Sequence, residues 1–467
     1  MHPLPTIILA LATVAAAQKV GNLVQEQHPK LSWQNCSKFS NGTTACAAVD
    51  AEVVLDAEWR WIRNANSISN CYTGNQWDLA QCNTTASCTL TCALEGADAQ
   101  SYRDGYGITT GGNSLSQKFV TQYAFSSNVN SRIFLLEPGG TDRYQTFVLM
   151  GSELAFDVEL SSVECAINSA LYFVAMEPDG GMARYPTNEA GAKYGTGYCD
   201  ASCPRSNRFV GGKANVEGWV PSETDQVRGT GNNGACCAEF DVWNSNAHSY
   251  SMISKPCVDT GYEVCQTTDC DAANTGGSGQ VLCDKFGCDY NTYRLDEMEF
   301  YGKFKTVDTT QDPLVTADTN DTNSVVTQFS EENVRQFFVQ DGKRIETPAA
   351  SYPGFPITSG LSPDYCKALP TNFQDPEYFA QVGGYSRHNE ALRRPMVLTM
   401  SISNDHWANN LWLDSTFPPD RAGLLGAERG PCPSWGNGPE PQEVERYYPN
   451  AKVAWSNIRF GPIGTTV

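Results

Sequence analysis

Two carboxylates stand two residues apart in the stretch 236–244, which reads Cys-Cys-Ala-Glu-Phe-Asp-Val-Trp-Asn. Side chains of a β-strand point alternately to opposite faces, so Glu239 and Asp241 share one face and Phe240 and Val242 share the other. Two acidic groups this close raise each other's proton affinity, an arrangement that suits glycoside chemistry. The same alternation is typical of any solvated strand face, so the flanking residues must decide between the two interpretations.

The first residues of the chain indicate export. An apolar run from Ile7 to Val14 is followed by three alanines and then by Gln18. Such a run is too short to span a membrane, and it ends in a small-residue cleavage site. We therefore expect a signal peptide at residues 1–17, a secreted, extracellular protein, and a mature chain that starts near Gln18.

The 18 cysteines predict a disulfide framework, because an oxidising export route favours bridges over metal ligands. Cys199 and Cys203 have the spacing of half a zinc site, but no matching second pair follows, so we expect no metal. Sequons for glycosylation fit the same route and predict surface loops. They are Asn35, Asn41, Asn83 and Asn320.

The net charge of −20 argues against nucleic acid and anionic membranes as partners, since both require clustered Lys and Arg. A neutral polysaccharide is indifferent to this charge. We also expect a monomer that uses no cofactor.

Short alternating segments separated by turn residues predict an all-β sandwich. Examples are 132–136, 146–149, 154–160, 171–176, 396–402 and 453–460. Asp341-Gly342 between 335–339 and 344–346 is a two-residue hairpin signal. The remaining length is expected in long loops at 185–221, 257–288 and 354–394, and cysteines staple most of them.

The catalytic stretch, with Pro256-Cys257 after it, resembles the active-site strand of glycoside hydrolase family 7, the secreted cellobiohydrolases and endoglucanases. The resemblance extends over nearly the whole mature chain. It includes segments 56–61, 70–72, 112–116, 170–174, 193–200, 214–219, 287–291, 411–416 and 456–463.

This resemblance implies a concanavalin-like β-jelly roll of two curved antiparallel sheets, with disulfide-stapled loops that form a groove or tunnel for cellulose or a related β-1,4-glucan. We expect one domain at 18–467 and no separate carbohydrate-binding module. The implied disulfides are Cys36–Cys46, Cys71–Cys92, Cys82–Cys88, Cys165–Cys432, Cys199–Cys237, Cys203–Cys236, Cys257–Cys283, Cys265–Cys270 and Cys288–Cys366.

The family also implies a set of sugar-binding residues. Tryptophans that stack on glucose rings match Trp59, Trp61 and Trp412, and the first two are expected on one strand face. Hydrogen-bonding positions match Tyr172, Tyr198, Asp200, Arg294 and Arg429. Two positions depart from many cellobiohydrolases: Ser403 replaces a tryptophan, and Ser278 replaces a product-side arginine.

The family pattern is Glu-x-Asp-x-x-Glu, in which a nucleophile, an orienting aspartate and a general acid/base succeed one another. Glu239 and Asp241 match the first two, but Asn244 stands at the third. Residue 244 has the wrong parity for the face of Glu239, so a bulge near Trp243 is required to turn it inward. An amide can hydrogen-bond a glycosidic oxygen but cannot protonate it.

Other residues bear on the missing proton. Lys255 stands where many relatives have His before the Pro-Cys pair, and a cation there favours an ionised carboxylate. His248 is a candidate substitute acid, although a lone His in a polar loop is more often structural. Glu297 and Glu299 are weaker candidates that fit an exposed strand.

Three functions therefore stay open. The first is a cellulose-active retaining hydrolase, cellobiohydrolase-like, with an impaired or altered acid/base step. The second is a non-catalytic glucan-binding pseudoenzyme. The third is a transglycosylase, or a hydrolase of substrates with activated leaving groups. The resemblance favours the enzymatic interpretation.

Overall fold

The structure is a computed structural model that describes residues 18–123, 126–139, 142–271, 280–310, 324–434 and 438–467. Within these ranges β-strands dominate, as the alternating pattern predicts. The predicted signal peptide at 1–17, the sequon at Asn320 and the position of Ser278 lie outside the described residues.

The strands are numbered here in chain order. The first group is β1 Lys19–Val20, β2 Lys30–Lys38, β3 Thr44–Leu55, β4 Ile62–Asn64, β5 Tyr72–Thr73, β6 Gln76–Trp77, β7 Cys92–Leu94, β8 Ile108–Gly111, β9 Ser114–Lys118, β10 Val120–Tyr123, β11 Ser126–Val129, β12 Ser131–Leu136, β13 Thr146–Phe147, β14 Ser152–Glu159 and β15 Asn168–Val174. The second group is β16 Phe209–Val210, β17 Lys213–Ala214, β18 Val220–Pro221, β19 Gly229–Thr230, β20 Asn233–Cys236, β21 Glu239–Ser245, β22 Tyr250–Lys255, β23 Glu263–Gln266, β24 Cys288–Tyr290, β25 Tyr301–Gly302, β26 Val307–Asp308, β27 Ser324–Phe329, β28 Val334–Gln340, β29 Lys343–Glu346, β30 Met396–Ser403 and β31 Lys452–Pro462.

Helical segments are short. The α-helices are α1 Thr85–Thr91, α2 Pro363–Phe373, α3 Tyr378–Gln381, α4 Gly384–Leu392, α5 Leu411–Asp414 and α6 Pro441–Tyr447. Single 3₁₀ turns occupy Ala57–Trp59, Ala192–Tyr194, Thr267–Asp269 and Pro419–Arg421, and a π turn occupies Ser101–Gly105.

Hydrogen bonds join the main strands of the described chain in the order β24-β22-β21-β15-β30-β12-β3-β2-β31-β14-β27-β28-β29. Neighbours are antiparallel except for β2 and β31. The sheet closes over itself, because Phe240 of β21 packs on Phe329 of β27 with ring centroids 5.4 Å apart, and Trp243 packs on Phe338 of β28 at 5.9 Å. Strands distant in the hydrogen-bonding order therefore form two facing layers, which is the jelly-roll sandwich that the sequence predicts.

The hairpin between β28 and β29 confirms its sequence signal. Asp341 and Gly342 both have positive φ, at 51° and 68°, as a two-residue turn of this kind requires. Gln340 pairs with Lys343 directly across the turn.

The segment 354–394 corrects a prediction, because α2, α3 and α4 occupy much of what was expected to be a long loop. Ser362 caps α2 by accepting from the Tyr365 amide at 3.2 Å, and Pro363 occupies its first turn. Tyr365, Leu369 and Phe373 recur at helical spacing and are buried. Pro370 inside this helix masks the pattern in the sequence.

Nine disulfides connect the loops to the sandwich, and they are the nine pairs that the family resemblance implies. The bridges of Cys199 and Cys203 lead to Cys237 and Cys236, shortly before β21. Among the sequons, Asn35, Asn41 and Asn83 are all exposed. Asn35 lies within β2 rather than in the expected loop.

Candidate active site

A bulge in β21 brings residue 244 to the face of the two carboxylates. Against β22, Asp241 pairs with Ile253 and Asn244 with Ser251, so Val242 and Trp243 together stand opposite the single residue Met252. The register against β15 shifts at the same place. Asn244 Nδ2 then donates to Asp241 Oδ2 at 2.8 Å. The sequence predicts that a bulge near Trp243 is needed, and the structure has one.

Aromatic packing behind the strand fixes this bulge. Trp243 is 1 % exposed and stacks on Tyr250 with ring centroids 5.2 Å apart. It also contacts the ring of Phe156 in the facing layer. Because this large side chain is held in the core, the next residue, Asn244, points the other way.

Lys255 links the two carboxylates. It pairs with Glu239 across β21 and β22, and its Nζ lies 3.0 Å from Glu239 Oε1 and 2.7 Å from Asp241 Oδ2. The second oxygen, Glu239 Oε2, accepts from the Ala201 amide at 3.1 Å. Both oxygens of Glu239 are therefore oriented by donors.

Burial and the neighbouring acid raise the proton affinity of Glu239. Burial, together with the nearby charge of Asp241, raises the pKa of Glu239 to about 8, even though Lys255 acts in the opposite direction. The pKa of Lys255 is also raised, because the two carboxylates outweigh the effect of burial, so the ammonium keeps its charge. Burial and the charge of Glu239 raise the pKa of Asp200 above its ordinary value.

The Asn244 amide has hydrogen bonds on both sides. Its Oδ1 accepts from Asn168 Nδ2 at 2.9 Å, and Asn168 Oδ1 accepts from the Ser245 amide at 3.0 Å. Since the Asp241 carboxylate only accepts, the nitrogen of Asn244 must face it. The side chain at this position is thus a fixed, neutral amide with no proton to give. Nothing in the sequence identified Asn168 as its partner.

A chain of hydroxyl groups lies beside Glu239. The Tyr172 and Tyr198 hydroxyls are 3.1 Å apart, and Tyr198 donates to Asp200 Oδ2 at 2.7 Å. Arg132 lies over the Tyr198 ring and donates to Asp56 at 2.8 Å. Sequence reasoning missed Arg132, although a single charged residue in the apolar segment 131–136 was a usable signal.

Trp59 and Trp61 do not share a strand face, and this prediction is wrong. Trp59 is the last residue of a 3₁₀ turn, whereas Trp61 immediately precedes β4. Asp56 caps this turn, because its Oδ1 accepts from the Glu58 amide at 2.7 Å. Trp59 Nε1 donates to Val129 O at 3.1 Å. Trp61 Nε1 donates to Asn70 Oδ1 at 2.6 Å, and its ring is 38 % exposed.

Trp412 lies on α5, where its Nε1 donates to Asp405 Oδ2 at 3.2 Å. Ser403, at the expected tryptophan position, ends β30. No stacking surface of that size is therefore available at residue 403.

The two arginines are arranged differently from the expectation that both contact sugar. Arg294 is 2 % exposed and donates to Asp289, to Asp375 and to Gly426 O. Arg429 Nη1 donates to the other oxygen of Asp289 at 2.9 Å, while its Nε has no partner among the described residues. The Arg429 side chain is 12 % exposed against 2 % for that of Arg294, so Arg429 is the more accessible of the two.

The alternative acids are engaged elsewhere. His248 Nε2 lies 2.8 Å from Glu164, which also binds Lys303 at 2.5 Å. Glu297 accepts from Ser351 and Glu299 pairs with Lys305, and neither residue lies on a strand. None of these groups is hydrogen-bonded to Glu239, Asp241 or Asn244 in the described part of the chain.

The described strands thus form a jelly-roll sandwich that presents Glu239, Asp241 and Asn244 together on β21. A family model for glycosyl hydrolase family 7 matches residues 20–467. The chain therefore belongs to glycoside hydrolase family 7.

Solved structures agree with this membership. A cellobiohydrolase from Melanocarpus albomyces, complexed with cellotetraose, is 49 % identical, with a TM-score of 0.88 over 96 % of this chain and 99 % of that one. A family 7 cellobiohydrolase from Daphnia pulex is 38 % identical, with a TM-score of 0.89 over 96 % and 100 %. The Humicola insolens endocellulase EGI is 30 % identical, with a TM-score of 0.77 over 96 % and 100 %. Among the described residues, no helix has the length and apolar character that crossing a bilayer requires.

Proposed function

We propose that this protein is a secreted, single-domain, retaining glycosidase of β-1,4-glucans, cellobiohydrolase-like, with an impaired acid step. The observation that carries the proposal is the common face of Glu239, Asp241 and Asn244, with Lys255 joining the two carboxylates. Glu239 is the nucleophile and Asp241 orients it. The relative complexed with cellotetraose supports a glucan chain as the ligand.

The remaining residues of the groove bind the glucan in this proposal. The rings of Trp59, Trp61 and Trp412 stack on glucose, whose axial hydrogens present an apolar face. Tyr172, Tyr198 and Asp200 form the hydrogen-bonding side next to Glu239. Arg429 binds sugar directly, whereas Arg294 positions Asp289, the acceptor that the two arginines share.

Asn244 limits the first chemical step. Glu239 attacks the anomeric carbon while the glycosidic oxygen departs, and the Asn244 amide can only hydrogen-bond that oxygen. General acid catalysis typically contributes about 10² to 10⁴ in rate, so its loss costs about 3 to 5 kcal/mol of barrier. Substrates whose leaving group departs without a proton avoid this cost, and so does transglycosylation from such donors.

A second candidate function is glucan binding without catalysis. It is favoured by the hydrogen bonds that hold the Asn244 amide between Asn168 and Asp241. These hydrogen bonds hold the Asn244 amide in place beside the carboxylates, but the amide cannot act as an acid.

One experiment separates the two candidates. We expect the protein to bind cellulose in an adsorption isotherm and, in the same preparation, to release cellobiose slowly, at a rate well above that of a Glu239→Gln control. Binding with release equal to that of the control favours the non-catalytic function. Absence of binding to any β-1,4-glucan contradicts both.

A further inference from the structure

Lys285 presents a cation that the proposed chemistry does not yet use. It lies on the loop before β24, and its Nζ is 4.1 Å from the ring centroid of Trp407 and 4.8 Å from that of Phe286. Within the described ranges, no carboxylate or other acceptor is hydrogen-bonded to this ammonium. Burial lowers the pKa of Lys285 to about 8, against the opposing charges of Asp405 and Asp271. An entering anion would stabilise such a half-buried ammonium.

The contact between Lys285 and Trp407 crosses the catalytic strand. Lys285 precedes β24, Trp407 follows β30, and the strands between them are β22, β21 and β15. Four strand spacings amount to about 19 Å of sheet. The loops that carry Lys285 and Trp407 therefore come into contact although four strand spacings separate the strands they adjoin.

The same site adjoins the support of the candidate nucleophile. Lys285 lines a small cavity together with Ala201 and Ser202. The Ala201 amide donates to Glu239 Oε2 at 3.1 Å. Trp407 contributes an aromatic face that is 68 % exposed. Lys285 is thus connected to the candidate nucleophile through Ala201, and Trp407 adds an exposed ring beside Lys285.

We propose that Lys285 and Trp407 bind an acidic aryl leaving group, so that the preferred substrates are β-1,4-glucosyl glycosides of acidic phenols. This inference rests on the proposed glycosidase function. Asn244 supplies no proton, and Lys285 supplies a counter-charge for a group that leaves as an anion. Trp407 stacks on the aryl ring.

The electron balance needs no further reagent. The Glu239 carboxylate forms a bond to the anomeric carbon, and the bond from that carbon to the aryl oxygen breaks with its electron pair on oxygen. The resulting phenolate carries a ring carboxylate, and that carboxylate pairs with the Lys285 ammonium. Water then attacks the glycosyl-enzyme, Glu239 leaves as a carboxylate, and the proton of water passes to solvent.

The test compares two aryl β-cellobiosides of equal leaving-group acidity, one neutral and one carrying a ring carboxylate, at pH 7. We expect kcat/KM to favour the carboxylated substrate about tenfold, since a charge-assisted contact is worth roughly that much. Lys285→Met should reduce the ratio to about one, and Lys285→Arg should preserve it. Lys305→Met, which removes a surface lysine paired with Glu299, is the matched control and should leave the ratio unchanged.

Trp407 is tested separately. Trp407→Ala should raise KM for both aryl substrates with little change in kcat, and Trp407→Phe should restore most of the affinity. A change in kcat alone contradicts an aryl-binding role for this ring.

Failure of this inference differs from failure of the glycosidase function. If a fluorinated cellobioside labels Glu239 but the parent protein shows no preference for the carboxylated substrate, the leaving-group site is wrong and the function stands. A preference that survives Lys285→Met leads to the same conclusion. If Glu239 is not labelled and neither aryl cellobioside is turned over, both proposals are overturned.

Discussion

We expect the double substitution Asn244→Glu with Lys255→His to raise cellobiose release from cellulose by about 10² to 10⁴-fold over the matched amide variant Asn244→Gln with Lys255→His. The substitution at 244 places a carboxyl group on the face that the β21 bulge already turns toward Glu239. Positioned by the same strand, that group can protonate the departing sugar oxygen. Initial rates of soluble sugar release from amorphous cellulose measure the effect.

Lys255 would weaken the new acid if it were kept. The Lys255 ammonium and the Asn244 amide donate to the same oxygen, Asp241 Oδ2, at 2.7 Å and 2.8 Å. A Glu at 244 would therefore lie beside a permanent cation, which would lower the pKa of that carboxyl and keep it ionised. The single variant Asn244→Glu should gain less than the double variant. His at 255 is neutral above its ordinary pKa of about 6.5 and leaves the acid protonated.

The matched control is Asn244→Gln with Lys255→His, which has the length of the new side chain but no acidic proton. It should release no more cellobiose than the parent chain, since loss of the Lys255 charge disfavours the ionised form of Glu239. If a folded, glucan-binding double variant with Glu at 244 shows no more activity than this control, residue 244 is not the acid position.

Strand parity made the essential part of the site predictable from sequence. Glu239 and Asp241 alternate with Phe240 and Val242, and residue 244 reaches the same face only through a bulge, which the structure has. Cysteine order within a recognised family was equally informative, because each bridge in the structure is one that the family implies. Strand parity is a local property of the sequence, and the order of the cysteines is informative because relatives share it.

Contacts between distant segments could not be predicted in this way. Lys255 was recognised as a cation near the site, but its simultaneous contact with both carboxylates depends on the register of β22 against β21. Lys285 and Trp407 are 122 positions apart and meet across three strands, so neither residue alone indicated a site. Trp59 was misassigned to a strand because Asp56 caps a turn there, and two carboxylates buried with Arg132 stabilise it.

A second large effect is expected from pH, which sets the fraction of Glu239 that is ionised and able to attack. We expect covalent labelling of Glu239 by a fluorinated cellobioside with an activated leaving group to accelerate about 10³-fold between pH 5 and pH 8. Only the carboxylate form attacks, and burial beside Asp241 raises the pKa of Glu239 to about 8. Below that pKa, the ionised fraction rises tenfold for each pH unit. An activated leaving group needs no acid, so the profile reports the nucleophile alone.

Lys255 sets the midpoint of this profile. Its ammonium, 3.0 Å from Glu239 Oε1, favours the ionised form, so Lys255→Met should move the midpoint upward by about 1 to 3 pH units. Lys255→Arg keeps the charge and should move it little, and Lys305→Met should not move it. Glu239→Gln should abolish labelling at every pH, and labelling that persists in this variant identifies a different nucleophile. A midpoint near the ordinary pKa of glutamate would mean that the Glu239 carboxylate is solvated in solution. A midpoint that does not change in Lys255→Met would mean that the Lys255 ammonium does not contact this carboxylate.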